Sequence, residues 1–249
     1  MEIVAALIAG SFIGAVLGYI GAGGAMLAVP ILMYLFSFTP HLATTASLAI
    51  VGSAAVSGAI AKARNKEILY RDAIVIWAIG LITNVGFSSI SDSLPDAFIK
   101  SGFAVVLFVA GLSMIRNPLS ATEKKMPVTI LIFVSLLIGS ITGLFGIGGG
   151  FLAIPILVLF FGTPQRTASG TSLMIIALNS LTSLLVRNQS WHEINWKIPL
   201  VMAISAIAIT NVASRKGSRD SQEKLKYYYT GLLVAIAIFT LAETWVFKS

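Results

Sequence analysis

Two glycine runs hold the residues best suited to chemistry. Gly21-Ala22-Gly23-Gly24 and Gly146-Ile147-Gly148-Gly149-Gly150 each interrupt a long apolar stretch, and Pro30 and Pro155 follow them. A helix restarting after Gly24 or Gly149 presents backbone N–H groups with no intrahelical acceptor, at the positive end of its dipole. Glycine also lets a ligand approach the backbone closely. Two such ends meeting near mid-membrane would hold a small anion without a buried cationic side chain. The expected contacts are Gly21, Gly23, Gly24 and Ala25 in the first run, and Gly146, Gly148, Gly149 and Gly150 in the second. A plainer reading makes these glycines close helix–helix contacts or turns between full spans. Their duplication, each time ahead of a proline, favours the binding site.

Hydroxyls and amides accompany the runs. Thr44, Thr45 and Ser47 open the third apolar segment, and Ser169, Thr171 and Ser172 open the eighth. Their hydroxyls would either contact a polar substrate or bond back to their own helix carbonyls. Asn84 and Asn211 lie within apolar segments, where amides are costly and usually face the interior; they either line the path or join helices. Lys62 and Arg187 stand at segment edges. They would attract anions at the two mouths, or snorkel into the interface.

Other chemistry is poorly provided for. The chain has no cysteine and two histidines, His41 and His192, far apart in sequence. His192, in a Trp191-His192-Glu193 loop, reads as interfacial rather than as a metal ligand. The glycine runs lack the Lys-Ser/Thr of a phosphate-binding P-loop. No catalytic constellation, metal site or cofactor is expected.

The elements that would position these residues follow from composition. Of 249 residues, 57% are hydrophobic and 11% charged, and the mean hydropathy is +0.91. Ile3 to Ala61 contains no Asp, Glu, Lys or Arg, nor does Met126 to Gln165. Roughly 20 apolar residues suffice for a helix to cross a bilayer, so the chain is expected to cross many times. Met1-Glu2-Ile3 lacks the basic start of a cleaved signal peptide, so the first apolar stretch reads as a membrane segment. The net charge of +7 sits in short loops, as the positive-inside rule requires, and does not point to nucleic acid.

Apolar stretches fall at 3–20, 24–38, 42–61, 73–90 and 97–115, then at 127–144, 149–162, 167–186, 198–213 and 226–247. A shift of 125 positions lays Gly18, Gly21, Gly23, Gly24, Leu27, Ala28 and Pro30 onto Gly143, Gly146, Gly148, Gly149, Leu152, Ala153 and Pro155. The same shift matches Ala43, Ser47 and Leu48 to Ala168, Ser172 and Leu173, and a slightly wider one matches Asn84 to Asn211. This is an internal duplication: residues 1–118 form one membrane repeat, 119–126 a cytoplasmic linker, and 127–249 the second repeat.

Loop charge orients the halves. Lys62, Arg64, Lys66 and Arg71 crowd the loop after the third segment, whereas its counterpart holds Arg187 and Lys197. The next loop reverses the bias: Asp92, Asp96 and Lys100 in half one, against Arg215, Lys216, Arg219, Lys224 and Lys226 in half two. With the basic side cytoplasmic, the halves are inverted and both termini lie outside. Inverted repeats with short, glycine-interrupted segments mark secondary transporters. The expected fold is therefore all-α and polytopic, with two inverted repeats of five segments and glycine-broken or re-entrant helices near the midplane.

Gly-x-Gly-Gly followed by Leu-Ala-x-Pro (Gly21 to Pro30, Gly146 to Pro155), then an Ala-x-x-x-Ser-Leu run in both halves, resembles the sulfite exporter TauE/SafE family of membrane permeases. The likeness spans nearly the whole chain. It implies export or movement of small sulfur-containing anions such as sulfite or organosulfonates. Half one departs slightly, with Ala22 and Ala25 where half two has Ile147 and Gly150. The expected partners are the anion, the lipid bilayer, a coupling ion (proton or sodium) and, optionally, a second copy of the chain. Transport by alternating access in the cell membrane is the favoured reading; the alternatives are an anion channel, a non-transporting intramembrane enzyme, or a structural subunit.

Overall fold

The computed structural model describes residues 1–22, 24–90, 94–95, 101–102, 105, 128–145 and 150–217, together with 227, 231, 234–235 and 238. Gly23, Gly146, Gly148 and Gly149, the linker 119–126, and most of the fifth and tenth expected segments lie outside them. Eight α-helices occupy the described residues: α1 (Glu2–Ile20), α2 (Gly24–Leu35), α3 (Pro40–Arg64), α4 (Tyr70–Ile90), α5 (Val128–Phe145), α6 (Gly150–Phe161), α7 (Gln165–Val186) and α8 (Lys197–Gly217). A short 3-10 turn (Asn188–Glu193) precedes α8. No strand occurs among the described residues. In hydrocarbon every backbone polar group needs a partner within the protein, which leaves a helix as the form each apolar stretch can take.

Six of these helices, α1, α3, α4, α5, α7 and α8, are long and apolar enough to cross a membrane. The other two, α2 and α6, have 12 residues each. That is about 18 Å of helix, short of a bilayer core of about 30 Å. Local chemistry sets the boundaries. Gly21 caps α1 at φ 89°, with its N–H donating to Leu17 O at 2.8 Å, a left-handed cap that glycine adopts without a Cβ penalty. The helix expected over 24–38 stops at Leu35, where Ser37 turns left-handed at φ 56°. Thr39 and Pro40 open α3: the Thr39 hydroxyl accepts from Leu42 N, and proline at the first position needs no N–H partner.

Glycines set the helix contacts. Gly10, Gly14 and Gly18 of α1 lie against Met202, Ala206 and Thr210 of α8. Gly139 and Gly143 of α5 lie against Gly80 and Asn84 of α4. In both pairs the numbers rise together, so the partners run parallel. The shift of 125 carries Gly14 and Gly18 onto Gly139 and Gly143. The first helix of each repeat therefore packs on the fourth helix of the other.

The third helices cross each other. Arg187 meets Thr44 and Thr45, Gly52 meets Ser180, and Lys62 meets Gly170. Numbers rise on α3 as they fall on α7, so these repeat-equivalent helices are antiparallel. Gly58 of α3 lies by Thr210 and Ser214 of α8, and Gly217 by Tyr19. The basic ends of α3 and α8 thus share one end of the bundle with the C-terminus of α1.

The close contacts make a stability prediction. A Cβ on Gly139 would overlap Gly80 O and come within 2.5 Å of Thr83 Oγ1, whereas one on Gly86 would meet nothing within 4 Å. Gly139→Ala should destabilise the protein by about 1–3 kcal/mol, seen as earlier thermal unfolding in detergent. Gly86→Ala should leave the transition unchanged or raise it.

Candidate functional site

At the first glycine run the chain reverses. A Cβ on Gly24 would stand 2.6 Å from Ile13 O and 2.7 Å from Leu17 Cβ, so α2 folds back along α1. Pro30, inside α2, leaves the carbonyl of Met26 without its helical N–H donor. The other repeat covers this turn: Gly21 lies directly on Ser169, in the first turns of α7. Ser169 is fully buried, and its hydroxyl has no hydrogen-bond partner in the structure.

Lys62 lies beside the same corner. Its ammonium is 2.9 Å from the Glu67 carboxylate, and its side chain is fully buried. The loop after α3 crosses Gly170, whose absent Cβ leaves room for Glu67 O and the Lys62 Cβ. Leu69 N donates to Thr171 Oγ1 at 3.0 Å, fastening that loop to α7.

The second corner is its counterpart. Arg187, at the C-terminus of α7, is 3% exposed. Its Nη1 donates to Thr44 Oγ1 at 2.9 Å and Thr45 Oγ1 at 3.5 Å, and its Nη2 donates to Gly143 O, shortly before the second glycine run. The shift of 125 exchanges Lys62 with Arg187 and Thr45 with Gly170. Each corner therefore places a basic residue of one repeat on the third helix of the other.

Burial changes the reading of these two residues. A snorkelling side chain keeps its head in water, but both heads are enclosed by protein. The open cavity of about 650 Å³ at the Arg187 end is lined instead by Glu2, Phe38, Thr39, Glu193 and Asn195, among others. The chain had shown no Lys or Arg well inside an apolar segment; the fold encloses two at segment ends by laying the other repeat over them.

The corners are also well separated. Ser169 and Arg187 are 18 residues apart on α7 and its capping residue, about 27 Å along the axis. The Ser169 corner and the Arg187 corner therefore lie at opposite ends of α7.

The hydroxyls divide. Thr44 donates to His41 O at 2.7 Å, Ser47 to Thr44 O at 2.8 Å and Thr171 to Thr167 O at 2.8 Å. Their protons are engaged by their own helices, while the Thr44, Thr45 and Thr171 oxygens accept across helices. Ser172 is buried, and Asn211 is half-buried on α8. His192 is exposed.

Asn84 joins a network that sequence reading missed. Its Nδ2 donates to Asn179 Oδ1 at 3.1 Å and Asn179 O at 3.3 Å, and its Oδ1 accepts from Ser183 and Ser88. Asn179, Ser183 and Arg187 recur every fourth residue, which puts them on one face of α7. That spacing was the available signal. Glu67 offered none, since nothing in the sequence brings it back onto Lys62.

A family model described as sulfite exporter TauE/SafE matches residues 6–240. A probable membrane transporter protein of Xylella fastidiosa is 28% identical over 246 residues, covering 95% of this chain and 94% of that one. The probable membrane transporter protein YunE of Bacillus subtilis is 27% identical over 240 residues, covering 83% and 85%. A probable membrane transporter protein of Methanocaldococcus jannaschii is 28% identical over 254 residues, covering 94% of each. No solved structure matches the chain.

Proposed function

The chain belongs to the sulfite exporter TauE/SafE family and is a multi-pass membrane transporter, and we propose that it moves small sulfur oxyanions, sulfite or organosulfonates, by alternating access between two inverted repeats. One observation carries the reading: a buried basic residue from each repeat lies on the first turns of the other repeat's third helix, Lys62 against Gly170 beside the contact of Gly21 with Ser169, and Arg187 against Thr44 and Thr45. A substrate-sized anion at the first corner meets the Ser169 hydroxyl and the Lys62 ammonium, and at the second the Arg187 guanidinium, which the Thr44 and Thr45 oxygens hold in place. Burial strengthens each of these contacts relative to water.

The inversion rests on the antiparallel crossing of α3 and α7. If equivalent helices span the membrane in opposite senses, a two-fold axis in the membrane plane relates the repeats, as in other transporters. The basic ends of α3 and α8 then face the cytoplasm, both termini lie outside, and residues 119–126 form the cytoplasmic linker. One repeat rocks against the other, opening the Ser169 corner to the cytoplasm and the Arg187 corner to the outside. A proton or sodium ion supplies the coupling, and no nucleotide site is required.

The absence of cysteine allows a direct test. Ser169→Cys and Thr45→Cys, each the sole thiol, should react with a membrane-impermeant maleimide from opposite sides, and sulfoacetate should protect both. Labelling of both from one side would contradict the inversion; labelling unaffected by any sulfonate would remove the anion from the corners.

A further inference from the structure

An anion crossing between the corners has about 27 Å of buried protein to pass. Asn179 lies 10 residues from Ser169 and eight from Arg187 on α7, so it stands about midway. It is 1% exposed.

Its orientation follows from its neighbours. The Asn179 backbone carbonyl can only accept, so Asn84 must turn its Nδ2 toward it. The Asn84 Oδ1 then accepts from the Ser183 and Ser88 hydroxyls. Asn179 must therefore present its own Oδ1 to Asn84 Nδ2. That leaves the Asn179 Nδ2, buried and with two N–H groups, without an acceptor in the structure. Ser180, the next residue, has a fully buried hydroxyl that also lacks a partner, facing Gly52. A buried amide donor left unsatisfied requires a physical reason, and a donor calls for an acceptor rather than a cation.

We infer that Asn179, held by Asn84 and Ser183, is a mid-membrane station for the transported oxyanion, donating its Nδ2 hydrogens to an anion oxygen. The station rests on the anion-transport reading above. Neutral donors suit a point of passage, because a full charge here would hold the anion too tightly to release it. Ser183 and Arg187 continue the same face toward one corner. Gly143 packs beside them against α4, where a Cβ would stand 2.5 Å from Asn84 O and 2.8 Å from Ser88 N, and its carbonyl accepts from Arg187.

Asn179→Asp separates donation from structure. The aspartate keeps an oxygen for Asn84 Nδ2 and replaces the two N–H donors with a second carboxylate oxygen and a negative charge. Radiolabelled sulfite uptake into proteoliposomes should fall by at least about 10- to 100-fold, the loss of a hydrogen bond to a charged ligand. Asn179→Ala should show a similar fall, with the melting transition in detergent retained; if the alanine variant does not fold, the aspartate variant decides. Uptake at wild-type KM and Vmax in a folded variant overturns the station while leaving the corner sites standing. Sodium binding that tightens in Asn179→Asp overturns it in favour of a cation site. Absence of saturable sulfite or sulfoacetate flux in the unaltered protein overturns both the station and the function it rests on.

Discussion

Arg187→Gln is expected to reduce sulfite flux by about 100- to 1,000-fold while the protein still folds. Truncating one partner of a buried, hydrogen-bonded charge pair costs about 2–5 kcal/mol, and each 1.4 kcal/mol is about tenfold. The guanidinium is 3% exposed and reaches Thr44, Thr45 and Gly143 together. It binds the end of α5 to the start of α3, and in the proposed function it meets the anion at the second corner. Glutamine fills much of the volume and still reaches a hydroxyl, so the main loss is the charge. Arg187→Lys should also lose flux, though less. An ammonium keeps the charge, but it cannot span two helices as the planar fork does. Transport kinetics paired with thermal unfolding check this: loss of flux at an unchanged melting temperature is the expected outcome, and loss of both in parallel would make Arg187 purely structural.

Gly21→Ala is expected to cost about 2–5 kcal/mol of stability and to abolish transport. The backbone at φ 89° disfavours any L-residue by about 1–2 kcal/mol. The new Cβ would also overlap the Ser169 hydroxyl and come within 2.6 Å of Ser169 Cα, and overpacking adds about 1–3 kcal/mol. The hydroxyl can rotate away; the backbone cannot. The double variant Gly21→Ala with Ser169→Gly should therefore recover part of the stability but not the flux, because the hydroxyl is gone. A double-mutant cycle of unfolding free energies measures that coupling. Additive effects would mean that the contact between repeats at this corner carries no energy.

Much of the fold was legible. The glycine runs placed the starts of α2 and α6, with Gly24 and Gly150 as their first residues. Uncharged runs gave the long helices, because length and apolarity decide which segment spans. What escaped was orientation about the helix axes. Soluble helices reveal their inner face by an apolar stripe, but α7 turns Ser169, Thr171, Ser172, Asn179, Ser180 and Ser183 inward, so an apolar stripe did not mark Asn179 as interior. Only its four-residue spacing to Ser183 and Arg187 did. Lys62 misled for a related reason: at the end of an uncharged run it reads as interfacial, and only the returning Glu67 loop and Gly170 enclose it. The position of the first glycine run was hidden too, since it depends on α2 folding back along α1, a contact set by Gly24 against Ile13 and Leu17.

Counterflow tests the central claim most directly. Proteoliposomes loaded with unlabelled sulfite should accumulate radiolabelled sulfite transiently and saturably, and Arg187→Gln should remove the overshoot. A flux that neither saturates nor responds to internal sulfite would indicate a channel, and an overshoot intact in Arg187→Gln would contradict an anion site built on that residue.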